Sequence, residues 1–334
     1  MGGDEPEGIG RTMHRAPDVA PSSPPPVGEL PGSAAPRDAR LPAFTPEAPD
    51  RTPAATAVIV AFSTSIERAL DAIVAVDRDP VTSVHELRRG VRTARSILRV
   101  VEPRLSRTNA LELHASLRTA IRETGTMRDR DVLPAALALL PSRPGTAEAR
   151  AEVEALLLSG RAAARKNGAR ARRLAVLGAR LSLLIERFAD VLPGSFSRED
   201  LIAGVRRLAR RARRSVRLAL REPGDLAAQH GARKRVRELA VALHRLGSGN
   251  LRMRRRATKL GRLSTKIGAT LDLELLRTFV AAHKQGLDED SAARLLDQLK
   301  QNGARRRPRL LRRARRWLEA PRWKDAAFET SKRT

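Results

Sequence analysis

The chain has 334 residues and carries 65 Lys and Arg against 37 Asp and Glu, for a formal net charge of +28 at pH 7. Only eight of the basic residues are Lys, and the Arg guanidinium is well suited to forked hydrogen bonds with phosphate oxygens. The absence of Cys excludes disulfides, thiolate nucleophiles and Cys-ligated zinc, and favours a reducing, cytoplasmic compartment. With no Tyr, six Phe and two Trp, a surface that reads single-stranded bases by stacking is disfavoured. The composition therefore predicts a polyanionic partner whose bases are not read.

The N-terminal segment differs from the rest of the chain. Residues 1–53 contain 12 of the 21 prolines and almost no apolar periodicity, so we predict a disordered Pro-rich tail over 1–55. Acidic residues outnumber basic ones there, so the positive charge belongs to the remainder. The tail has no signal-peptide pattern, and the longest apolar stretch, around 54–62, is about half of the roughly 20 residues that cross a membrane.

The remainder of the chain has a helical pattern throughout. From about Thr56, apolar residues recur at spacings of three and four with Arg between them, which predicts an all-α fold. Asp79-Pro80 offers an N-cap followed by proline, and Pro193-Gly194 and Pro223-Gly224 end the helices before them. The predicted helices lie near 56–77, 80–101, 104–124, 129–140, 146–168, 170–191, 198–221, 225–246, 251–266, 271–284, 289–302 and 305–318.

One internal repeat stands out. The segment His-Glu-Leu-Arg-Arg-Gly-Val-Arg at 85–92 aligns without gaps on His-Gly-Ala-Arg-Lys-Arg-Val-Arg at 230–237. On a helix, each copy has an apolar stripe and a separate basic arc. The first arc holds His85, Arg88, Arg89, Arg92 and Arg99, with Arg95 at its margin, and the second holds His230, Arg233, Lys234 and Arg237. Because the four matched positions span about 10 Å, such a row can contact successive phosphates.

A basic arc can also be an ordinary solvated face. Solvated faces usually mix signs, since like charges at helical spacing oppose the helix. We expect Glu86 and Glu102 to point away from the first arc, which would leave it without a carboxylate. Both repeat histidines, His85 and His230, also lie in the arcs and not on the apolar stripes. These features favour binding over simple solvation.

The two repeat helices, together with Arg-Asp-Arg-Asp-Val-Leu at 128–133, resemble the CHAD family, the conserved histidine α-helical domain. The resemblance covers roughly 56–325 and includes the Arg-rich segment at 313–318. It implies two four-helix-bundle-like halves, 56–195 and 196–330, related by a pseudo-twofold axis. It further implies a basic channel between them that binds inorganic polyphosphate, with association to polyphosphate granules. The matched residues are His85, Arg88, Arg89 and Arg92 in the first motif and His230, Arg233, Lys234 and Arg237 in the second.

The second copy departs from the first in two places. Asp272 matches Asp131, but Thr270 stands where Asp129 has its counterpart, and Gly247-Ser248-Gly249 interrupts the helical run. Asp129 and Asp131 could form a metal pair. Two carboxylates near a helix start more often cap the helix and orient Arg.

Further basic stripes lie outside the two motifs. Each could extend the channel or simply be solvated, and Arg118 aligns with Lys259 when the Asp elements are matched. The candidates are Arg118, Lys259, Arg210, Arg214 and Arg255.

The leading expectation is a cytoplasmic binding module for inorganic polyphosphate, with no cofactor, no metal and no catalysis. The sequence lacks a phosphate-binding loop, a zincin helix and the Glu-x-Glu-x-Lys motif of the CYTH triphosphatases that often accompany CHAD domains. A nucleic-acid or nucleoid binder is the main alternative, because the charge permits it equally. A polyphosphate-processing enzyme is a third alternative, and it would need metal-binding carboxylates that the sequence does not display.

Overall fold

The computed structural model describes residues 50–165, 169–247 and 251–319, and the side chains of 126–131, 160–165 and 169–172 lie outside this description. The described part of the chain is helical, as the sequence predicts. Its ten α-helices are α1 Pro53–Val74, α2 Pro80–Val101, α3 Arg107–Glu123, α4 Gly125–Ala138, α5 Ala147–Arg165, α6 Ala169–Val191, α7 Arg198–Arg221, α8 Leu226–Leu246, α9 Leu251–Ala282 and α10 Glu289–Glu319. Short 3-10 turns cover Glu102–Arg104 and Lys284–Gly286.

The helix starts follow local capping chemistry. The Asp79 side chain accepts a hydrogen bond from the Thr82 N–H at 3.1 Å, which confirms the predicted cap of α2. Thr52 caps α1 in the same way and donates its own N–H to the Gly194 carbonyl at 3.0 Å. Residues 53–55, which the sequence assigned to the tail, therefore belong to α1, and residues 50–52 lead into this helix. Residues 1–49 of the predicted tail lie outside the described residues. The predicted end of α8 at Gly247 is confirmed, whereas Ser248 and Gly249 lie outside the description.

Two predicted breaks in the second half are wrong. The predicted helices 251–266 and 271–284 are one helix, α9, which ends at Ala282. It continues across the junction because Ile267 and Thr270 are both buried there, and the Thr270 hydroxyl donates a hydrogen bond to the Ile267 carbonyl at 2.8 Å. Residues 289–302 and 305–318 likewise form α10, with Pro308 inside. The buried Arg307 bridges α10 to neighbouring helices, with hydrogen bonds to Gln229 and Glu274 at 2.9 and 3.0 Å. Although α9 and α10 are each about 45 Å long, no helix in the described part is both long and apolar enough to cross a membrane.

Three apolar cores organise the helices. The first joins α1, α2, α3 and α6, and the second joins α7, α8, the N-terminal half of α9 and the C-terminal half of α10. The third is formed by α4 and α5 with the remaining halves of α9 and α10. The third core therefore combines α4 and α5, from the predicted first half of the chain, with helices of the predicted second half.

The order of the helices follows the internal sequence repeat. The pair α1 and α2 corresponds to α7 and α8, the pair α3 and α4 corresponds to the single helix α9, and α5 and α6 correspond to α10. The first and second cores are then equivalents, and the third lies between them. Gly204 of α7 allows the closest approach, because a Cβ there would lie 2.2 Å from the Val100 carbonyl oxygen of α2. The start of α7 is thereby pressed against the end of α2, the first repeat helix.

Candidate functional site

The two repeat helices, α2 and α8, pack against each other. The Arg99 Nε atom of α2 lies 3.3 Å from the Glu238 Oε1 atom of α8. Arg89, ten residues earlier on α2, lies near His244 at the end of α8. Burial lowers the pKa of His244, and the charge of Arg89 contributes to this decrease. The helices therefore cross in antiparallel directions. In the sequence repeat, Arg89 corresponds to Lys234 and His244 corresponds to Arg99. Lys234 and Arg99 also interact, so equivalent pairs of residues meet at both ends of the crossing.

Four cations at the crossing interact with Glu238, and we call them the interhelical cluster: Arg95 and Arg99 from α2 with Lys234 and Arg235 from α8. Glu238 is 4% exposed and lies in their midst. Its Oε2 accepts a hydrogen bond from Arg235 at 2.7 Å, while Oε1 faces Arg99. Glu238 thus faces four cations, and Glu102 lies 3.8 Å from one of them, Arg99, so the cations outnumber the carboxylates beside them.

The pKa of Lys234 is lowered in this environment. Burial lowers the pKa of Lys234 from 10.5 to about 8, and Arg95 adds to the decrease while Glu238 opposes it. Burial also lowers the pKa of Arg95 and of Arg99. Partly desolvated cations that repel one another gain more from a bound anion than solvated ones. A bound polyanion would therefore stabilise the charges of the interhelical cluster.

A second charged group adjoins the cluster at the end of α2. The Glu102 Oε2 atom lies 3.7 Å from the His114 Nε2 atom and 3.8 Å from both Arg99 and Arg211. The interaction with His114, followed by the charges of Arg99 and Arg211, lowers the pKa of Glu102 to about 2. The expectation that Glu102 points away from the basic arc is wrong, because Glu102 lies 3.8 Å from Arg99 of that arc. Arg211 of α7 and His114 of α3 pack against Glu102 as well.

The other acidic residue of the first motif also pairs within the arc. Glu86 lies 3.2 Å from Arg89, one helical turn away, so the expectation for Glu86 is wrong as well. Arg89 nonetheless keeps 67% of its side chain exposed. It can reach a ligand without breaking a buried contact.

Arg88 and Arg89, adjacent in sequence, occupy opposite environments. Arg88 is 6% exposed and donates hydrogen bonds to the Ile121 carbonyl at 2.7 Å and the Thr124 hydroxyl at 2.8 Å. Its guanidinium thereby secures the junction between α3 and α4. The binding contact predicted for Arg88 stays a prediction, and its position favours an internal role.

Arg233, the counterpart of Arg88, is also held by its neighbours. Its guanidinium lies over Gly268 of α9, where a Cβ would come within 2.4 Å of it, and Asp272 Oδ1 is 4.0 Å away. Asp272 lies in the middle of α9 and not near a helix start, so it does not cap a helix. The side chains of its counterpart Asp131 and of Asp129 lie outside the described residues.

The histidines and the remaining motif residues lie along the same helices. His85 and His230 are exposed, each about two to three helical turns before the crossing on its own helix. The antiparallel arrangement places them on opposite sides of the crossing. Arg92 and Arg237 lie near its centre, half-buried and engaged with other residues.

The secondary candidates divide between two surfaces. Arg118 of α3 interacts electrostatically with Arg95 of the cluster, and the exposed Arg210 of α7 interacts with Arg207. Arg214 is exposed further along α7. Lys259 turns towards α10, where its Nζ lies 4.3 Å from the Trp317 ring centre. Arg255, one turn before Lys259, is exposed on that same side of α9 and faces away from α8.

Several residues of the site were not predicted. They are Arg207, Arg211, Arg235 and Glu238, together with the Glu102–His114 pair. One signal was available: Glu238 follows Lys234 by four residues and Arg235 by three, the spacings at which helix side chains meet. The positions of Arg207, Arg211 and His114 had no such signal, because they come from α7 and α3. Among the described residues, no group of three or more His, Asp and Glu could hold a metal ion.

Comparison with known proteins identifies the family. The family model for the CHAD domain matches residues 64–281, well over half of the chain. The chain belongs to the CHAD domain family. The crystal structure of the CHAD domain from the plant Ricinus communis has the same fold, with a TM-score of 0.55 and 22% sequence identity over 80% of this chain and 91% of that chain. CHAD domains are associated in general with polyphosphate binding. A search of curated proteins found no match.

Proposed function

We propose that this CHAD domain binds inorganic polyphosphate on the face formed by α2 and α8. The proposal is carried by the interhelical cluster, in which Arg95, Arg99, Lys234 and Arg235 share the carboxylate of Glu238. A linear phosphate chain supplies closely spaced negative charges and accepts charge-assisted hydrogen bonds from guanidinium groups. The family's general association with polyphosphate supports this choice of anion.

The distribution of the cations favours a polymer over a single phosphate. Arg89 and Arg245 flank the cluster on one side of the crossing, and Arg118 lies near Arg95. Arg207 and Arg211 of α7 extend the positive surface at the end of α2. Each additional phosphate along such a path releases counterions, so the affinity rises with chain length and falls with salt.

We further propose that the protein is a binding module in the cytoplasm and not an enzyme, and that it associates with polyphosphate granules by holding their polymer. Incubation of the protein with long-chain polyphosphate and Mg²⁺ should leave the chain length unchanged on a gel. Shortening of the polymer that persists after repeated purification would contradict this part of the proposal.

The main alternative partner is nucleic acid, since a net charge of +28 attracts any polyanion. Competition binding at about 150 mM salt separates the two classes. We expect long-chain polyphosphate to displace duplex DNA and RNA of equal charge. Tighter binding of either nucleic acid would replace the proposed function with the alternative.

A pair of matched variants tests the site itself. Arg95→Ala/Lys234→Ala removes two cations of the interhelical cluster, while Arg305→Ala/Arg312→Ala removes two exposed cations of α10. The first variant should weaken polyphosphate binding by about tenfold or more, because each charge-assisted contact contributes about 1.5 to 3 kcal/mol. The second should weaken it by about twofold through the change in net charge alone. Equal losses in both variants would show that binding depends on total charge and not on the crossing.

A further inference from the structure

A second candidate site lies where α4, α9 and α10 meet. A pocket of about 400 Å³ opens there between the helices. Its floor is mostly apolar and its rim carries three cations. It is lined by Leu139, Ala269, Thr270, Leu273 and Leu310, with Lys266, Arg306 and Arg309. Pockets of this size with an apolar lining and a few convergent polar groups are typical of small-molecule sites.

The three cations form a purely positive rim. Lys266 is exposed on α9, and Arg306 and Arg309 are exposed one turn apart on the same face of α10. There is no Asp or Glu from 251 to 271 or from 303 to 318. Within the described residues, these three side chains form no ion pair with a carboxylate. An anionic group in the pocket would meet three cations and no competing carboxylate.

The apolar floor is exposed and extends beyond the first pocket. Leu139 has 63% of its surface exposed, although it lies next to the third core. Leu139 and Ala269 also line an adjoining pocket of about 370 Å³, whose walls include Val84 and Val132. The adjoining pocket also contains Thr82, His85 and Asp272, so the apolar part beside the three cations is the floor of the first pocket. An apolar floor left open to water indicates a ligand that carries its own apolar part.

The pocket lies on a different side of α9 from the interhelical cluster. Gly268 and Ser264 face Arg233 of α8, whereas Lys259 and Lys266 face α10. The adjoining pocket reaches His85 at its far end, but neither pocket includes a residue of the interhelical cluster. The two surfaces can therefore be tested separately.

We propose that this pocket binds an anionic amphiphile with a single acyl or alkyl chain. The carboxylate or phosphate head pairs with Lys266, Arg306 and Arg309, and the chain lies on the floor between Leu139 and Leu310. Polyphosphate alone gains nothing from an apolar floor, and a neutral apolar ligand would leave the three cations unused. The proposal does not depend on polyphosphate binding at the crossing.

Calorimetry with the full-length protein tests the proposal, using dodecyl phosphate, dodecanoate and octyl phosphate below their micelle-forming concentrations. Because each buried CH₂ group strengthens binding by about fourfold, dodecyl phosphate should bind at least about tenfold more tightly than octyl phosphate. Binding of either dodecyl ligand supports the pocket, and the tighter of the two identifies the head group. Equal affinity for both chain lengths would overturn the proposal, since only the charged head would then be recognised.

Variants of equal charge separate the pocket from general attraction. The triple variant Lys266→Ala/Arg306→Ala/Arg309→Ala should weaken dodecyl phosphate binding by about tenfold or more. The matched control, on the same two helices, is Arg262→Ala/Arg305→Ala/Arg312→Ala. Ala269→Trp should block the floor, and Ala269→Leu serves if the larger residue impairs folding. The proposal would be overturned if the control triple variant lost as much affinity as the pocket triple variant. Unchanged affinity in both Ala269 variants would also overturn it.

Discussion

The Arg99 guanidinium and the Glu238 carboxylate lie 3.3 Å apart and join the two repeat helices at their crossing. Only 11% of the Arg99 side chain and 6% of the Glu238 side chain are exposed. Glu238 also accepts a hydrogen bond from Arg235 at 2.7 Å. The same carboxylate thus limits the repulsion between cations that a polyanion would neutralise.

The substitution Glu238→Gln should destabilise the free protein more than the polyphosphate-bound protein. We expect the free energy of unfolding to fall by about 2 to 4 kcal/mol, because the largely buried Arg99 and the half-buried Arg235 both lose the carboxylate nearest to them. Saturating polyphosphate should restore most of this loss. Urea unfolding with and without the polymer measures both effects.

Glu319→Gln is the matched control for that experiment. Glu319 also pairs with two arginines, Arg217 and Arg315, at 2.8 and 2.9 Å, but on the protein surface. Its replacement should change stability by less than about 1 kcal/mol. A similar loss in both variants would contradict a special role for the buried carboxylate.

Lys234 should couple polyphosphate binding to proton uptake near pH 8. Its pKa is about 8 in the free protein, and a bound polyanion stabilises the charged form and raises that pKa. Below pH 8 both states are protonated, whereas above pH 8 only the complex retains the proton, so the affinity decreases as the pH rises. Calorimetry at pH 8.5 in buffers of different ionisation enthalpy measures the uptake.

Lys234→Arg keeps the positive charge but does not titrate in this range. This variant should retain affinity above pH 8 and lose the proton uptake. Uptake unchanged in Lys234→Arg would assign the titration to another group.

Arg88→Ala and Arg89→Ala should differ in stability despite their adjacent positions. Arg88 makes two buried charge-assisted hydrogen bonds, so its removal should lower the free energy of unfolding by about 2 to 4 kcal/mol. Arg89 is largely exposed, and its removal should cost less than about 0.5 kcal/mol while weakening polyphosphate binding. Chemical denaturation followed by circular dichroism tests the contrast, and comparable stability of the two variants would contradict the structural role of Arg88.

Glu102 should support the fold at neutral pH and lose this effect in acid. Its pKa is about 2 in the folded protein, below the ordinary 4.5, so its stabilisation is complete above pH 4.5 and disappears as the pH falls towards 2. Allowing for its partial exposure, Glu102→Gln should cost about 1 to 2 kcal/mol at pH 6. Urea unfolding at pH 6, 4 and 3 should show the difference from wild type shrinking.

Glu112→Gln provides the comparison for Glu102. Glu112 is 57% exposed beside Arg187, so this variant should resemble wild type at every pH. If the difference in free energy of unfolding between wild type and Glu102→Gln stayed constant down to pH 3, the carboxylate charge would not be the source of the stabilisation.

The helical class, the cap of α2 and the repeat could all be predicted from the amino-acid sequence. These features depend on contacts within a few residues, such as the Asp79 cap of α2 and the apolar stripes of α2 and α8. The same local logic placed breaks near 267–270 and 303–304, where the structure has continuous helices. There, burial of Ile267 and Thr270 in α9 and the Arg307 contacts of α10 outweigh weak local helix propensity.

The contacts among the basic residues could not be predicted in this way, because they depend on how distant helices pack. Helical periodicity placed Arg88 and Arg89 in one arc, but the packing of α3 and α4 buries the first and leaves the second exposed. Likewise, α7 and α3 bring Arg211 and His114 onto Glu102, and α10 draws Lys259 away from α8. A charge pattern along one helix fixes the direction of each side chain about that helix. Long-range packing determines which neighbour lies in that direction. It therefore also determines whether a cation is buried, paired or open to a ligand.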